Sequence, residues 1–147
     1  TAAANALDDY EEGTFTPVFA NAASGGSESS SYAEQDGRYT KIGNLVHVDI
    51  YLKNVITTSL GTSQFFIRDL PFAVKSGSIY IGTAGLSNVD LNSTASALYA
   101  FANATSGSIT AIRIFQAIDN TGHGAIVCDA VTSGTNEIFV SMTYPTG

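Results

Sequence analysis

The sequence predicts an all-β protein, an antiparallel β-sandwich of jelly-roll type, from its composition and from two alternating segments. Charged residues make up 13% of the 147 positions and apolar residues 44%. Gly, Ser, Thr, Ala and Asn abound, a balance suited to many turns and polar strand faces rather than to long solvated helices. Within 45–53, Val46, Val48, Ile50 and Leu52 fall on one face while His47, Asp49, Tyr51 and Lys53 fall on the other, the period of a half-buried strand. The closing segment repeats this, with Ile138, Val140, Met142 and Tyr144 opposed to Glu137, Phe139, Ser141 and Thr143. A chain of this length forms one domain around one core.

Taken in order, residues 1–13 are expected to be an N-terminal connector and 14–147 the domain. Thr1 to Ala6 is too short to hold a helix alone. Because the chain begins at Thr1 and its single Met is Met142, we expect a longer chain upstream. Thr14 to Phe19 is the first strand, and Pro17 within it lacks the N–H that a central strand donates, which places it at an edge. Asn21 to Ser31 has no apolar periodicity and reads as a long mobile loop. After 45–53, strands are expected at 64–70, 79–83, 97–103, 109–118 and 125–131, each rich in Ile, Val, Phe or Tyr and bounded by turn residues. The total is eight or nine. Turns at 120–124 and 133–135 are short enough for tight antiparallel connections.

Strand 109–118 stands apart, because Ile112, Ile114 and Ile118 share one face while Ile109, Ala111, Arg113 and Phe115 share the other. Either it is central and covered on both sides, or one side meets a neighbouring subunit. On the second reading Ile112, Arg113, Ile114 and Phe115 form a subunit interface. Arg113→Ala or Ile114→Asp would then disturb assembly more than folding.

Charge and motifs exclude several functions. A net charge of −7 with only six Lys and Arg opposes binding to a phosphate backbone. Cys128 has no partner for a disulfide and sits in an apolar run, as a small buried hydrophobe does. No signal peptide or membrane-spanning run appears. The acidic cluster Asp8, Asp9, Glu11 and Glu12 lacks the alternating spacing of a calcium loop. Adjacent acids are also not opposed across a substrate, as paired catalytic carboxylates must be. Neither His47 nor His123 has metal-ligand spacing to a second His or to Cys128. The GxSxG, GxxxxGK and HExxH patterns are absent. We expect no catalytic residue, no metal and no cofactor, and hence no enzyme.

Surface chemistry is more informative. A flat ring beside Asp, Asn or Arg suits a pyranose face, and two such groups fall on strand faces: Tyr51 with Asp49, and Tyr99 with Phe101 and Asn103. Tyr rings equally cover sheet edges and subunit contacts with their hydroxyls in water. His123, between Gly122 and Gly124, is held on a loop where a partner can approach the backbone. Asp119, Asn120, His123, Tyr99 and Asn103 are therefore the expected receptor-binding residues.

Three sequence segments point further. Asn5-Ala6-Leu7-Asp8-Asp9-Tyr10-Glu11-Glu12-Gly13-Thr14-Phe15-Thr16-Pro17 is followed by Gly37-Arg38-Tyr39-Thr40-Lys41-Ile42-Gly43-Asn44-Leu45-Val46 and then by Leu70-Pro71-Phe72. Over roughly its first half, the chain resembles the terminal domain of bacteriophage tail fibre and tailspike proteins. It departs from that family at Phe15, where Trp is usual. The resemblance implies a homotrimer at the distal end of a tail fibre or tailspike, joined to an upstream fibre segment. It also implies host attachment through non-catalytic recognition of a surface glycan or other receptor. Two alternatives stay open: a purely structural trimerisation cap, and a carbohydrate-binding module attached to an upstream polysaccharide depolymerase.

Overall fold

Pro17 separates two strands that lie at opposite ends of one sheet. The computed structural model describes residues 9–103, 110–119 and 122–147. Among these residues, ten antiparallel strands form a continuous ladder: β1 (Tyr10–Phe15), β2 (Val18–Ala20), β3 (Glu34–Ile42), β4 (Leu45–Lys53), β5 (Phe66–Arg68), β6 (Ile79–Ser87), β7 (Ala95–Asn103), β8 (Ala111–Ile118), β9 (Gly122–Ala125) and β10 (Glu137–Pro145). Their order is β1-β3-β4-β10-β6-β7-β8-β5-β2, and β9 pairs with the end of β8 that β5 leaves free. Only Thr16 and Pro17 stand between β1 and β2, so the two ends of the ladder are tethered within about 11 Å at that corner. The sheet is accordingly curled into a half-barrel. The all-β antiparallel class is as expected, in the form of one curled ladder rather than two separately bonded sheets. The edge position expected from Pro17 is met by both flanking strands.

The core follows from the alternation. β4 and β10 pair along their full lengths, from Leu45 opposite Pro145 to Lys53 opposite Glu137. Their inward side chains, Val46, Val48, Ile50, Leu52, Ile138, Val140, Met142 and Tyr144, are each exposed by 3% or less. Burying each stabilises the fold by about 1.5–3 kcal/mol. Across the interior they meet Phe19, Ile67, Ile112 and Ile114. Segment 125–131 was expected to be a strand. Instead the chain leaves the sheet after Ala125 and makes one turn of 3-10 helix at Cys128–Ala130, burying Ile126, Cys128 and Val131 in the core. Its backbone bonds to loop 63–65 through Phe65 N to Ile126 O and Cys128 N to Ser63 O. Burial, with Asp129 nearby, pushes the Cys128 thiol up to about 11.

The position of β8 corrects part of the expected interface. Ile112 and Ile114 are exposed by 0% and 1% and belong to this chain's own core, so neither can face a partner. Arg113 and Phe115 lie on the opposite, outer face. Tyr10 to Gly13, assigned above to the connector, are strand residues in register with β3; residues 1–8 lie outside the described residues. Asn21 to Ser31 is a loop, but a pinned one. The Asn21 side chain accepts from Ser27 N at 2.8 Å and donates to Leu60 O at 3.1 Å, and Arg68 pairs with Glu28 and donates to Gly25 O.

The first two resemblance segments prove to be one structure. β1 and β3 pair so that Gly13 faces Tyr39 and Phe15 faces Gly37. Each ring lies over the opposite glycine: a Cβ on Gly13 would sit 2.9 Å from the Tyr39 ring, and one on Gly37 2.8 Å from the Phe15 ring. An aromatic ring thus covers backbone that glycine leaves bare on the neighbouring strand, in both directions. Tyr39 also donates to Glu11 at 2.7 Å, which raises its pKa.

Asn136 is the buried polar centre. It is fully buried, accepts from Val55 N at 3.1 Å, and donates to Val55 O at 2.9 Å and Thr132 O at 2.7 Å. It ties the loop after β4 to the loop before β10. Asn136→Ala leaves Val55 N without a partner and takes one of two donors from Val55 O and Thr132 O, which keep Gly134 N and Thr135 N, so we expect a loss of about 1–3 kcal/mol, measured as a lower urea midpoint with an unchanged slope.

Candidate functional site

The outer face of the half-barrel carries the chemistry that the core excludes. Register lays it out as a grid. Asp36 lies opposite Tyr51, Tyr51 opposite Phe139 and Phe139 opposite Gly85. One step along, Arg38 lies opposite Asp49, Asp49 opposite Ser141 and Ser141 opposite Thr83. These eight positions on β3, β4, β10 and β6 line an open cleft of about 400 Å³.

Within it, the Tyr51 and Phe139 rings stack at 4.6 Å between centroids and 15° between planes. Tyr51 donates to Glu137 at 3.1 Å; desolvation and this bond raise its pKa. Phe139 is 45% exposed, a large apolar ring left in water. The carboxylates at either side each have a close partner: Arg38 pairs with Asp36 at 3.2 Å and His47 lies 3.3 Å from Asp49. His47 is fixed from behind by Thr143 at 3.0 Å. An aromatic platform flanked by carboxylates and hydroxyls offers stacking and hydrogen-bond acceptance together, the combination that takes a sugar ring.

Two of the expected receptor residues, Tyr99 and His123, belong to a second cluster on the same face. Tyr99, Phe115 and His123 meet on β7, β8 and β9, with His123 edge-on to Phe115 at 5.1 Å and to Tyr99 at 6.4 Å. The Arg113 guanidinium lies 5.0 Å from the Phe101 ring centre, 5.3 Å from Phe115 and 5.9 Å from Phe66, and burial lowers its pKa from the ordinary value. These rings cover one another, leaving Phe101 and Phe115 only 9% and 8% exposed. Asn103 lies further along β7, opposite Ile79. Asp119 follows β8 and bonds through its N–H to Thr94 O at 3.2 Å. The structure therefore joins Tyr99 and His123 and does not bring Asn103 or Asp119 to them; Asn120 lies outside the described residues. Among the described residues, no group of three or more His, Cys, Asp or Glu is placed to hold a metal ion.

One solved structure has this same curled sheet. It is the Dettilon tailspike protein. The match has a TM-score of 0.65 at 14% identity and covers 92% of this chain. It spans 24% of the tailspike chain, so this chain is about a quarter of that protein's length. No protein-family model and no curated protein matches the chain. What is shared with the tailspike is the fold.

On this tailspike-like sheet, the cleft was legible in the sequence only through Tyr51 and Asp49, which alternation placed together on an outward face. Phe139 was readable as outward-facing, but its partnership with Tyr51 depends on β10 pairing with β4, a strand far away in the sequence. Gly85 and Thr83 fell outside or at the end of the expected strand 79–83. Arg38 and Asp36 belonged to a strand that the alternation did not reveal.

Proposed function

We propose that this chain is a distal module of a bacteriophage tail fibre or tailspike, which attaches the virion to its host by binding a surface glycan without turning it over. The observation that carries this is the outer cleft with its stacked Tyr51 and Phe139, set on a fold shared with the Dettilon tailspike protein. The module is a homotrimer joined to an upstream fibre segment. Its contact between copies lies at the other end of β6, where Ile79 and Ile81 are 56% and 64% exposed beside the Arg113 and Phe115 cluster. Closed symmetry then presents three equivalent clefts, which raises avidity for a repeating glycan.

Light scattering is expected to give a concentration-independent mass three times the 15.3 kDa of one chain. Tyr51→Ala and Phe139→Ala are each expected to weaken adsorption to host cells by about tenfold or more, with circular dichroism and melting temperature unchanged. Adsorption that survives both substitutions in a stable trimer supports a structural cap instead. The share of the tailspike that this chain matches, 24%, also fits a glycan-binding module carried by an upstream depolymerase. Depolymerase activity in residues 1–147 themselves would overturn the non-catalytic reading.

A further inference from the structure

We propose that the cleft and its neighbour are two subsites for an uncharged oligosaccharide, with one sugar stacked on the free face of Phe139 above Gly85; this deepens the host-glycan reading and rests on it. Tyr51 covers one face of the Phe139 ring. Toward β6 the other face looks over Gly85, and a Cβ built there would touch Phe139 Cβ and Cδ2 at 3.7 Å. That is ordinary contact, so any larger side chain at position 85 would occupy the space above the ring. Glycine keeps a slot open at this point, with the hydroxyls of Thr83 and Ser141 at its rim.

The slot continues across the sheet. A second cleft of about 460 Å³ on β1 and β3 is lined by Glu12, Thr14 and Thr40 and shares Asp36 and Arg38 with the first. From β6 to β1 there are four strand spacings, roughly 19 Å, more than one sugar ring spans. The Asp36 and Arg38 pair forms the saddle between subsites. Its charge selects the ligand. Glu12, Asp36 and Asp49 contribute three carboxylates against the single guanidinium of Arg38, on a chain of net charge −7. Carboxylates accept hydrogen bonds from sugar hydroxyls and repel uronate or sialate groups.

The test is binding of residues 1–147 to an array of purified neutral and acidic bacterial polysaccharides, with Gly85→Val and, as a control on the same face, Leu45→Thr, at an exposed position that lines neither cleft. The expected result is binding confined to uncharged polymers, reduced about tenfold or more by Gly85→Val and unchanged by Leu45→Thr, while the Gly85→Val protein melts and elutes as the parent does. Preferential capture of acidic polymers, or neutral binding untouched by Gly85→Val, overturns this assignment and leaves glycan attachment standing. Absence of binding by the parent protein to every polymer overturns both.

Discussion

Ile114→Asp is expected to prevent the domain from folding, not merely from assembling. Ile114 is 1% exposed on the inner face of β8 and packs in the central cluster. Asp there must either bury an unpaired carboxylate or take up a proton to stay neutral, and it removes a large apolar side chain in either case. The combined cost is several kcal/mol, comparable to the whole stability of a domain this size. Insoluble expression, or a soluble chain without a cooperative melting transition, is the expected outcome. Arg113→Ala, one residue away, removes a cation stacked on three rings at the outer face and is expected to leave a folded chain. A folded monomeric Ile114→Asp protein would contradict the placement of β8 in the core.

Gly82→Ala is expected to be nearly as damaging, although it adds one methyl group. Gly82 lies on the inner side of β6, where β10 crosses closely. Its Cβ would lie 2.6 Å from Ser141 O and 2.9 Å from Met142 Cα, and would strike Met142 Cβ. Two of these three atoms are backbone, so relief requires separating β6 from β10 and losing the ladder between Glu137 opposite Ser87 and Ser141 opposite Thr83. A loss of about 3 kcal/mol or more is expected, read as a fall of roughly 6–12 °C in melting temperature. Gly85→Ala is the internal control. Three residues further along the same strand, its Cβ meets only 3.7 Å contacts, and its melting temperature is expected to stay within about 1–2 °C of the parent. Equal effects at the two positions would mean that β6 and β10 are not pinched at Gly82.

The sequence by itself determined the all-β class, the alternating faces of β4 and β10, the edge position at Pro17 and the outward placement of Tyr51 and Asp49. These follow from local rules, because a period of two and a missing N–H act within a few residues. The tertiary structure alone decided that β1 and β3 pair glycine against aromatic, that Ile126 to Val131 leaves the sheet to close the core, and that Ile112 and Ile114 face inward while Arg113 faces out. It alone set Phe139 against Tyr51 and opened the slot above Gly85. Each of these depends on which distant strand lies alongside and in what register. That choice is made by packing around a shared core, and no window of sequence short enough to show periodicity contains it.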